Sequence, residues 1–176
     1  MKFKDTIKQS IESLAKDEKT IILGYNVKYG NKGGGAFADI PTTQLLETPP
    51  AENLMVGLGM GLSLEGFKPI VYFERFDFVL NGLDAIVNHL MKFNTLSKGQ
   101  FKPKIIFRVV IGRKKLPFFS GPTHTQDFTV PMQSLLNFTV VNPTRSVELK
   151  YWYNLASQSD TSIMIIEKAD NYDIDC

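Results

Sequence analysis

The fold of this chain is decided by one stretch, TPPAENLMVGLGMGLSLEG at residues 48–66. Pro49 and Pro50 end the preceding element and pre-set the backbone for a helix start, where a missing N–H group costs nothing. Glu52 therefore lies in the first helical turn, where its carboxylate suits the positive end of the helix dipole. We expect Gly66 to end this helix as its C′ residue.

The predicted helix has an apolar face and two glycines one turn apart. The apolar positions, at helical spacing, are Leu54, Met55, Leu58 and Leu62. Gly57 and Gly61 each cost about 1 kcal/mol relative to alanine inside a helix. Two such costs on one face predict the close approach of another backbone, a large ligand or a second subunit. The spacing alone leaves these three causes open, and a subunit contact would make Gly57 and Gly61 interface residues.

The composition is that of an ordinary soluble globular domain. The 176 residues are 43% hydrophobic and 22% charged, and the net charge of +2 gives no case for nucleic acid. No apolar run approaches the roughly 18 residues that a membrane span needs. The only cysteine is the last residue, Cys176, so no disulfide framework is expected. The N-terminus has no apolar leader, and we expect a cytoplasmic protein.

Helical and strand patterns alternate along the chain, which predicts parallel strands joined by right-handed crossovers. Strands are predicted at 20–23, 69–73, 104–110, 138–141 and 161–166, and helices at 4–17, from Glu52, at 76–96 and at 147–157. We predict a doubly wound α/β sheet, mainly parallel, with helices on both faces. One domain is expected, with an N-terminal helix (1–18), a core (19–167) and a tail (168–176).

Ligands of such sheets bind beyond the carboxyl ends of the strands, where the chain reverses direction across the sheet. Three segments reach that end: the loop before Glu52, the turn at 74–78, and the connection at 111–126, which contains His124. The connection exceeds the usual two to six residues and is therefore expected to be functional. The glycine-rich loop at 25–39 is either a phosphate cradle or a mobile connection, and it lacks the lysine-serine pair of a P-loop.

Five short sequences of the chain are similar to the β subunit of thiamine-diphosphate-dependent 2-oxoacid dehydrogenases. They are TPPAE (48–52), LEGFKP (64–69), FDF (76–78), LDAIVNH (83–89) and KIIFR (104–108). A sixth, GPTH at 121–124, is more similar to transketolase. Both families share a pyrimidine-binding domain, and the resemblance covers residues 24–167. It implies the pyrimidine-type thiamine-diphosphate-binding fold.

The resemblance also implies roles for individual residues. Glu52 would hydrogen-bond N1′ of the cofactor's aminopyrimidine, and Phe78 would stack on that ring. His124 would donate to a developing oxyanion or move a substrate proton. From the residues alone, the alternatives are a dipole-complementing glutamate, a core phenylalanine and a structural loop histidine.

Three departures from the family patterns concern the cofactor and substrate. Glu74 occupies a position near the cofactor where the β subunits often have an apolar residue, so that wall would be polar. Ser120 replaces the aspartate that precedes Gly-Pro-Thr-His in transketolase. Arg113 and Lys114, with Lys115, are either a clamp for a substrate phosphate or carboxylate or a solvated loop.

The resemblance assigns the diphosphate and Mg²⁺ to another domain, through a Gly-Asp-Gly motif and a later asparagine that this chain lacks. No metal ligand is therefore expected here. We predict the pyrimidine-binding subunit of a split enzyme, active only with a diphosphate-binding chain in a self-associated or heterotetrameric assembly. Two-carbon transfer of the transketolase type and decarboxylation or dehydrogenation of a 2-oxoacid both fit. The alternatives are a non-catalytic assembly or regulatory remnant and a fragment of a longer polypeptide.

Overall fold

Six strands form one parallel sheet in the computed structural model, which describes residues 1–175. The strands are β1 (Thr20–Gly24), β2 (Leu45–Glu47), β3 (Lys68–Phe73), β4 (Ile106–Ile111), β5 (Thr139–Val141) and β6 (Ile163–Lys168). Their order across the sheet is β2-β1-β3-β4-β6-β5, and each neighbouring pair is parallel. The predicted doubly wound parallel sheet is confirmed. Cys176, on which the cysteine argument rests, lies outside the described residues.

Helices cover both faces of this sheet. They are α1 (Phe3–Ala15), α2 (Glu52–Leu64), α3 (Phe93–Leu96), α4 (Thr129–Leu135) and α5 (Ser146–Gln158). Shorter 3₁₀ segments lie at Thr42–Gln44, Phe76–Gly82, Pro122–His124 and Ala169–Asn171, and a π-helix at Ala85–Leu90. Within residues 1–175 no helix has both the length and the apolarity to cross a membrane.

Strand side chains alternate between two buried cores, one on each face of the sheet. On β1, Ile22 belongs to the core that α1 and α5 cover, whereas Leu23 belongs to the core that α2 and α4 cover. On β3, Ile70 and Val71 divide in the same way. The alternation follows from the period of two in a strand, and continuous apolar strands are typical of a sheet buried on both faces.

The prediction of one long helix over 76–96 is wrong. The chain there forms a 3₁₀ segment, a π-helix and the short α3. The 3₁₀ segment passes so close to α2 that a Cβ on Gly82 would lie 3.3 Å from the Glu52 carbonyl oxygen. The Asn53 side chain accepts a hydrogen bond from the Ala85 N–H group at 3.0 Å. These contacts hold the segment against the start of α2. They are tertiary contacts, which the helical spacing of apolar residues cannot predict.

The helix predicted from Glu52 is confirmed, but its apolar face is partly misassigned. Met55 and Val56 bury themselves against the sheet, whereas Leu54 and Leu58 are 48% and 37% exposed. Gly66 follows the helix with φ +82°, as a C′ glycine should. The exposed leucines lie on the same side of α2 as Gly57 and Gly61, which are also exposed. Two elements, β2 and α4, were not predicted.

Candidate functional site

The candidate site lies at the carboxyl ends of β1, β2 and β3. The chain runs from β1 outward to β2 and then returns to β3 on the other side of β1. This reversal is the switch point at which open α/β sheets bind ligands. Tyr25 directly follows β1, α2 begins five residues after β2, and the 3₁₀ segment with Phe78 follows β3.

Glu52 is a buried carboxylate with little hydrogen bonding. The residue is only 5% exposed, and its Oε2 accepts one long hydrogen bond, 3.4 Å from the Asn81 amide nitrogen. No ion pair to Glu52 is present among residues 1–175. Burial of an incompletely paired carboxylate is costly, so a bound group that pairs with it would relieve the cost.

Three aromatic rings, those of Tyr25, Phe78 and His124, lie in sequence at this end of the sheet, and the first of them interacts with Glu52. The Phe78 ring centroid lies 5.3 Å from that of His124 in an edge-to-face arrangement and 6.5 Å from that of Tyr25. Burial and the charge of Glu52, followed by that of Glu74, raise the pKa of Tyr25. The Tyr25 ring thus connects the glutamate to the Phe78–His124 pair. Phe78 and His124 are half-buried, which leaves part of each ring accessible to a ligand.

Asp77 holds the two aromatic segments together. Its Oδ1 accepts a hydrogen bond at 2.8 Å from the Gln126 side-chain nitrogen, which joins the 3₁₀ segment after β3 to the connection that contains His124. Its Oδ2 is buried and has no hydrogen-bond partner among the described residues, and the same is true of the Tyr25 and Thr48 hydroxyl oxygens. Each such buried group costs about 1–3 kcal/mol. Their position at this end of the sheet fits a site that a ligand completes.

Glu74 contacts the glycine-rich loop. Its two carboxylate oxygens each accept a 2.6 Å hydrogen bond, one from the Asn26 amide and one from the Asn31 amide. The predicted polar wall is therefore occupied by loop contacts, and a cofactor contact at Glu74 stays a prediction.

The N–H groups of the glycine-rich loop are directed at Glu47, the last residue of β2. Its carboxylate accepts hydrogen bonds from the backbone nitrogens of Asn26, Val27, Lys28 and Tyr29 at 2.6, 3.0, 2.7 and 3.3 Å. A phosphate cradle would need these donors free. On the other side, the Gly33 carbonyl oxygen accepts from the buried Arg108 at 3.1 Å. The contacts support neither a phosphate cradle nor a mobile connection.

Replacing Glu47 by alanine is expected to lower the free energy of unfolding by about 2 kcal/mol, because it leaves several partly buried N–H groups unpaired. Amide hydrogen exchange of residues 26–29 should quicken at the same time. Glu18→Ala is the matched control, since Glu18 is exposed and precedes β1. Unchanged exchange in Glu47→Ala would contradict the assigned role.

The predicted substrate residues lie in the loop at 112–124, whose two ends are joined by hydrogen bonds. The Gly112 N–H group donates to the His124 carbonyl at 3.0 Å, and the Ser120 hydroxyl oxygen accepts from the Arg113 N–H group at 3.0 Å. The Arg113 guanidinium pairs with Asp173 at 2.6 Å, and the Lys114 N–H group donates to Asp170. Ser120 and Arg113 therefore shape the loop, and their contact with substrate stays a prediction.

Sequence reasoning missed Tyr25, Glu47 and Asp77. Tyr25 carried one usable signal, its position immediately after a buried strand, where site residues of such sheets lie. Glu47 and Asp77 carried none, because their partners are 18 or more residues away in the chain.

The comparisons with known proteins agree with this geometry. The sequence model of the transketolase pyrimidine-binding domain matches residues 3–173, and the chain belongs to that family. The family comprises subunits of thiamine-diphosphate-dependent enzymes.

Two relatives are β subunits of the pyruvate dehydrogenase E1 component, both mitochondrial. The Dictyostelium discoideum protein is 28% identical over 169 residues, which cover 93% of this chain and 47% of the relative. The Saccharomyces cerevisiae protein is 26% identical over 160 residues, which cover 89% of this chain and 43% of the relative. The chain thus spans about half the length of these relatives. A solved split-gene transketolase, described as an inactive β4 tetramer, shares the fold with a TM-score of 0.77 at 14% identity, over 100% of this chain and 53% of that one.

The residues at the switch point fit the aminopyrimidine end of thiamine diphosphate. Glu52 offers a carboxylate for a ring nitrogen, and Phe78 offers an aromatic face. The unpaired Tyr25 hydroxyl and Asp77 oxygen offer further hydrogen bonds to a polar heterocycle. Among residues 1–175 there is no group of three or more histidine, cysteine, aspartate or glutamate side chains arranged to hold a metal ion.

Proposed function

We propose that this chain is the pyrimidine-binding component of a split thiamine-diphosphate-dependent enzyme, and that a separate chain binds the diphosphate and its Mg²⁺. The observation that carries the proposal is Glu52, a buried carboxylate with one long hydrogen bond at the switch point of the sheet. The reaction is either transfer of a two-carbon unit, as in transketolase, or decarboxylation and dehydrogenation of a 2-oxoacid.

Thiamine diphosphate would supply a carbon nucleophile, thiazolium C2. The Glu52 carboxyl would share a proton with N1′ of the aminopyrimidine, and the closed surroundings of this carboxyl would strengthen that hydrogen bond. Phe78 would orient the pyrimidine ring by stacking. His124, whose ring edge meets the Phe78 ring, donates a hydrogen bond or a proton to substrate oxygen.

The exposed side of α2 supports the proposed assembly. A Cβ atom built on Gly57 or on Gly61 meets nothing within 4 Å in this chain, so packing within the chain does not require glycine there. Leu54 and Leu58 lie exposed beside them. An apolar, glycine-lined helix face is suited to close packing against a second copy or the diphosphate-binding chain.

Calorimetric titration of thiamine diphosphate with Mg²⁺ tests the shared site. The chain alone is expected not to bind, and the chain mixed with its candidate diphosphate-binding partner is expected to bind tightly. Binding by the isolated chain would mean that it holds a diphosphate site of its own. No binding in either case would favour the non-catalytic remnant.

Phe78→Leu is expected to weaken cofactor binding by the assembled enzyme by about threefold to tenfold, because an aromatic contact contributes about 0.5–1.5 kcal/mol beyond its buried area. The control is Phe76→Leu, two residues earlier and fully buried. That change should lower the free energy of unfolding without a comparable loss of cofactor affinity. Equal losses of affinity in the two variants would argue against stacking on Phe78.

A further inference from the structure

A cavity lies at the amino ends of the strands, at the opposite end of the sheet from Glu52. Its volume is about 160 Å³, and it is lined by residues 68–70 at the start of β3, by residues 104–106, and by residues of α1 and α5. A six-residue strand is roughly 17 Å long, so the length of β3 separates this cavity from the candidate cofactor site.

The walls of the amino-end cavity include an apolar patch. Leu14 and Ile106, both half-buried, contribute to it, and the buried Ile70, Pro69 and Ala156 complete it. An engineered apolar cavity of about 150 Å³ stays dry and binds benzene. The volume here therefore suits one aromatic ring or a branched aliphatic group of similar size.

The lining of the cavity carries a net positive charge, because it includes two lysines, Lys68 and Lys104, and one carboxylate, that of Asp17. Lys68 Nζ is paired with Asp17 Oδ2 at 2.6 Å. Lys104 Nζ donates to the Ser159 carbonyl oxygen at 2.7 Å and, within residues 1–175, pairs with no carboxylate. An ammonium group has three N–H donors, so two remain for an acceptor in the cavity.

We propose that this cavity binds a small organic anion, a carboxylate carried on one aromatic ring or a branched apolar body. The apolar group lies against Leu14 and Ile106, and the carboxylate pairs with Lys104. The proposal does not depend on the proposed enzymatic function, because the site is complete within this chain and needs neither cofactor nor partner.

Benzoate is the probe, and benzamide is its neutral counterpart of the same shape. Titration of the isolated chain is followed by the side-chain methyl signals of its isoleucines in ¹H–¹³C spectra. We expect benzoate to shift Ile70 and Ile106, which line the cavity on the face that α1 and α5 cover, and not Ile86, which lies in the core on the other face of the sheet. Benzoate should bind roughly tenfold more tightly than benzamide, because it adds a charge-assisted hydrogen bond.

Two variants separate the parts of the proposal. Lys104→Met should reduce benzoate affinity to that of benzamide, whereas Lys102→Met, at an exposed neighbouring lysine, should leave it unchanged. Ala156→Leu should fill the cavity and abolish the binding of both probes. If benzoate leaves the Ile70 and Ile106 methyl signals of the unmodified chain unshifted, or binds no more tightly than benzamide, the proposal is wrong, whether or not the variants fold.

Discussion

Glu52→Gln is expected to lower turnover of the assembled enzyme at least a hundredfold, since proton transfer by a positioned side chain contributes about 10²–10⁴ in rate. Glutamine keeps the shape and a hydrogen bond but cannot share a proton with N1′. Cofactor affinity, measured by calorimetry with the partner present, should fall as well. Glu65→Gln is the matched control, because Glu65 is an exposed glutamate at the other end of the same helix.

The same substitution should have the opposite effect on the isolated chain. The favourable interaction of Glu52 with the helix dipole contributes only about 0.3–1 kcal/mol, and burial of an incompletely paired charge costs more. The free energy of unfolding of Glu52→Gln should therefore be unchanged or higher than that of the parent. Retention of full turnover and cofactor affinity would exclude Glu52 from the chemistry, and a marked loss of stability in the isolated chain would assign it to the fold.

Five of the six strands were predictable because each of them is an apolar run bounded by turn residues. β3 and β4 lie within two residues of their predicted bounds, and α2 begins at the predicted glutamate. The short β2 was missed because only three residues pair with β1, with two of them exposed or half-buried. Whether so short a strand forms depends on the strand beside it, and three residues are too few to show a periodic pattern in the sequence.

The segment after β3 shows why the helical periodicity of the sequence does not predict the geometry of the site. Apolar residues recur there at helical spacing, yet Gly82 must pass the Glu52 backbone closely. The chain therefore tightens into a 3₁₀ turn and then widens into a π-helix. Irregular helical geometry of this kind is frequent at functional sites. Sequence motifs marked Glu52, Phe78 and His124 as candidate site residues, and their roles stay predictions, whereas the Asp77–Gln126 hydrogen bond that joins the two aromatic segments is a tertiary contact.

Substitution of the exposed glycines of α2 by alanine should separate stability from assembly. Because nothing lies within 4 Å of a Cβ at Gly57 or Gly61, each substitution removes a glycine from a helix without a clash. The gain is about 1 kcal/mol in the free energy of unfolding of the isolated chain, or roughly 2–4 °C in Tm. Gly59→Ala is the control within the same helix. Its Cβ would lie 2.9 Å from a Val71 methyl group, and overpacking of a core costs about 1–3 kcal/mol.

In the assembly we expect the opposite effect, because Gly61→Ala should weaken the association of the subunits. If two copies meet through the same patch, each substitution acts twice across the two-fold axis, and about 1.4 kcal/mol at each site weakens association about a hundredfold. Sedimentation equilibrium with the partner chain present would measure this, alongside urea unfolding of the isolated chain. A raised Tm with unimpaired assembly would mean that the glycines serve no interface, and the same conclusion would follow if the bulkier Gly61→Leu still assembled. A raised Tm with lost assembly would show that the stability given up at these two positions serves subunit contact.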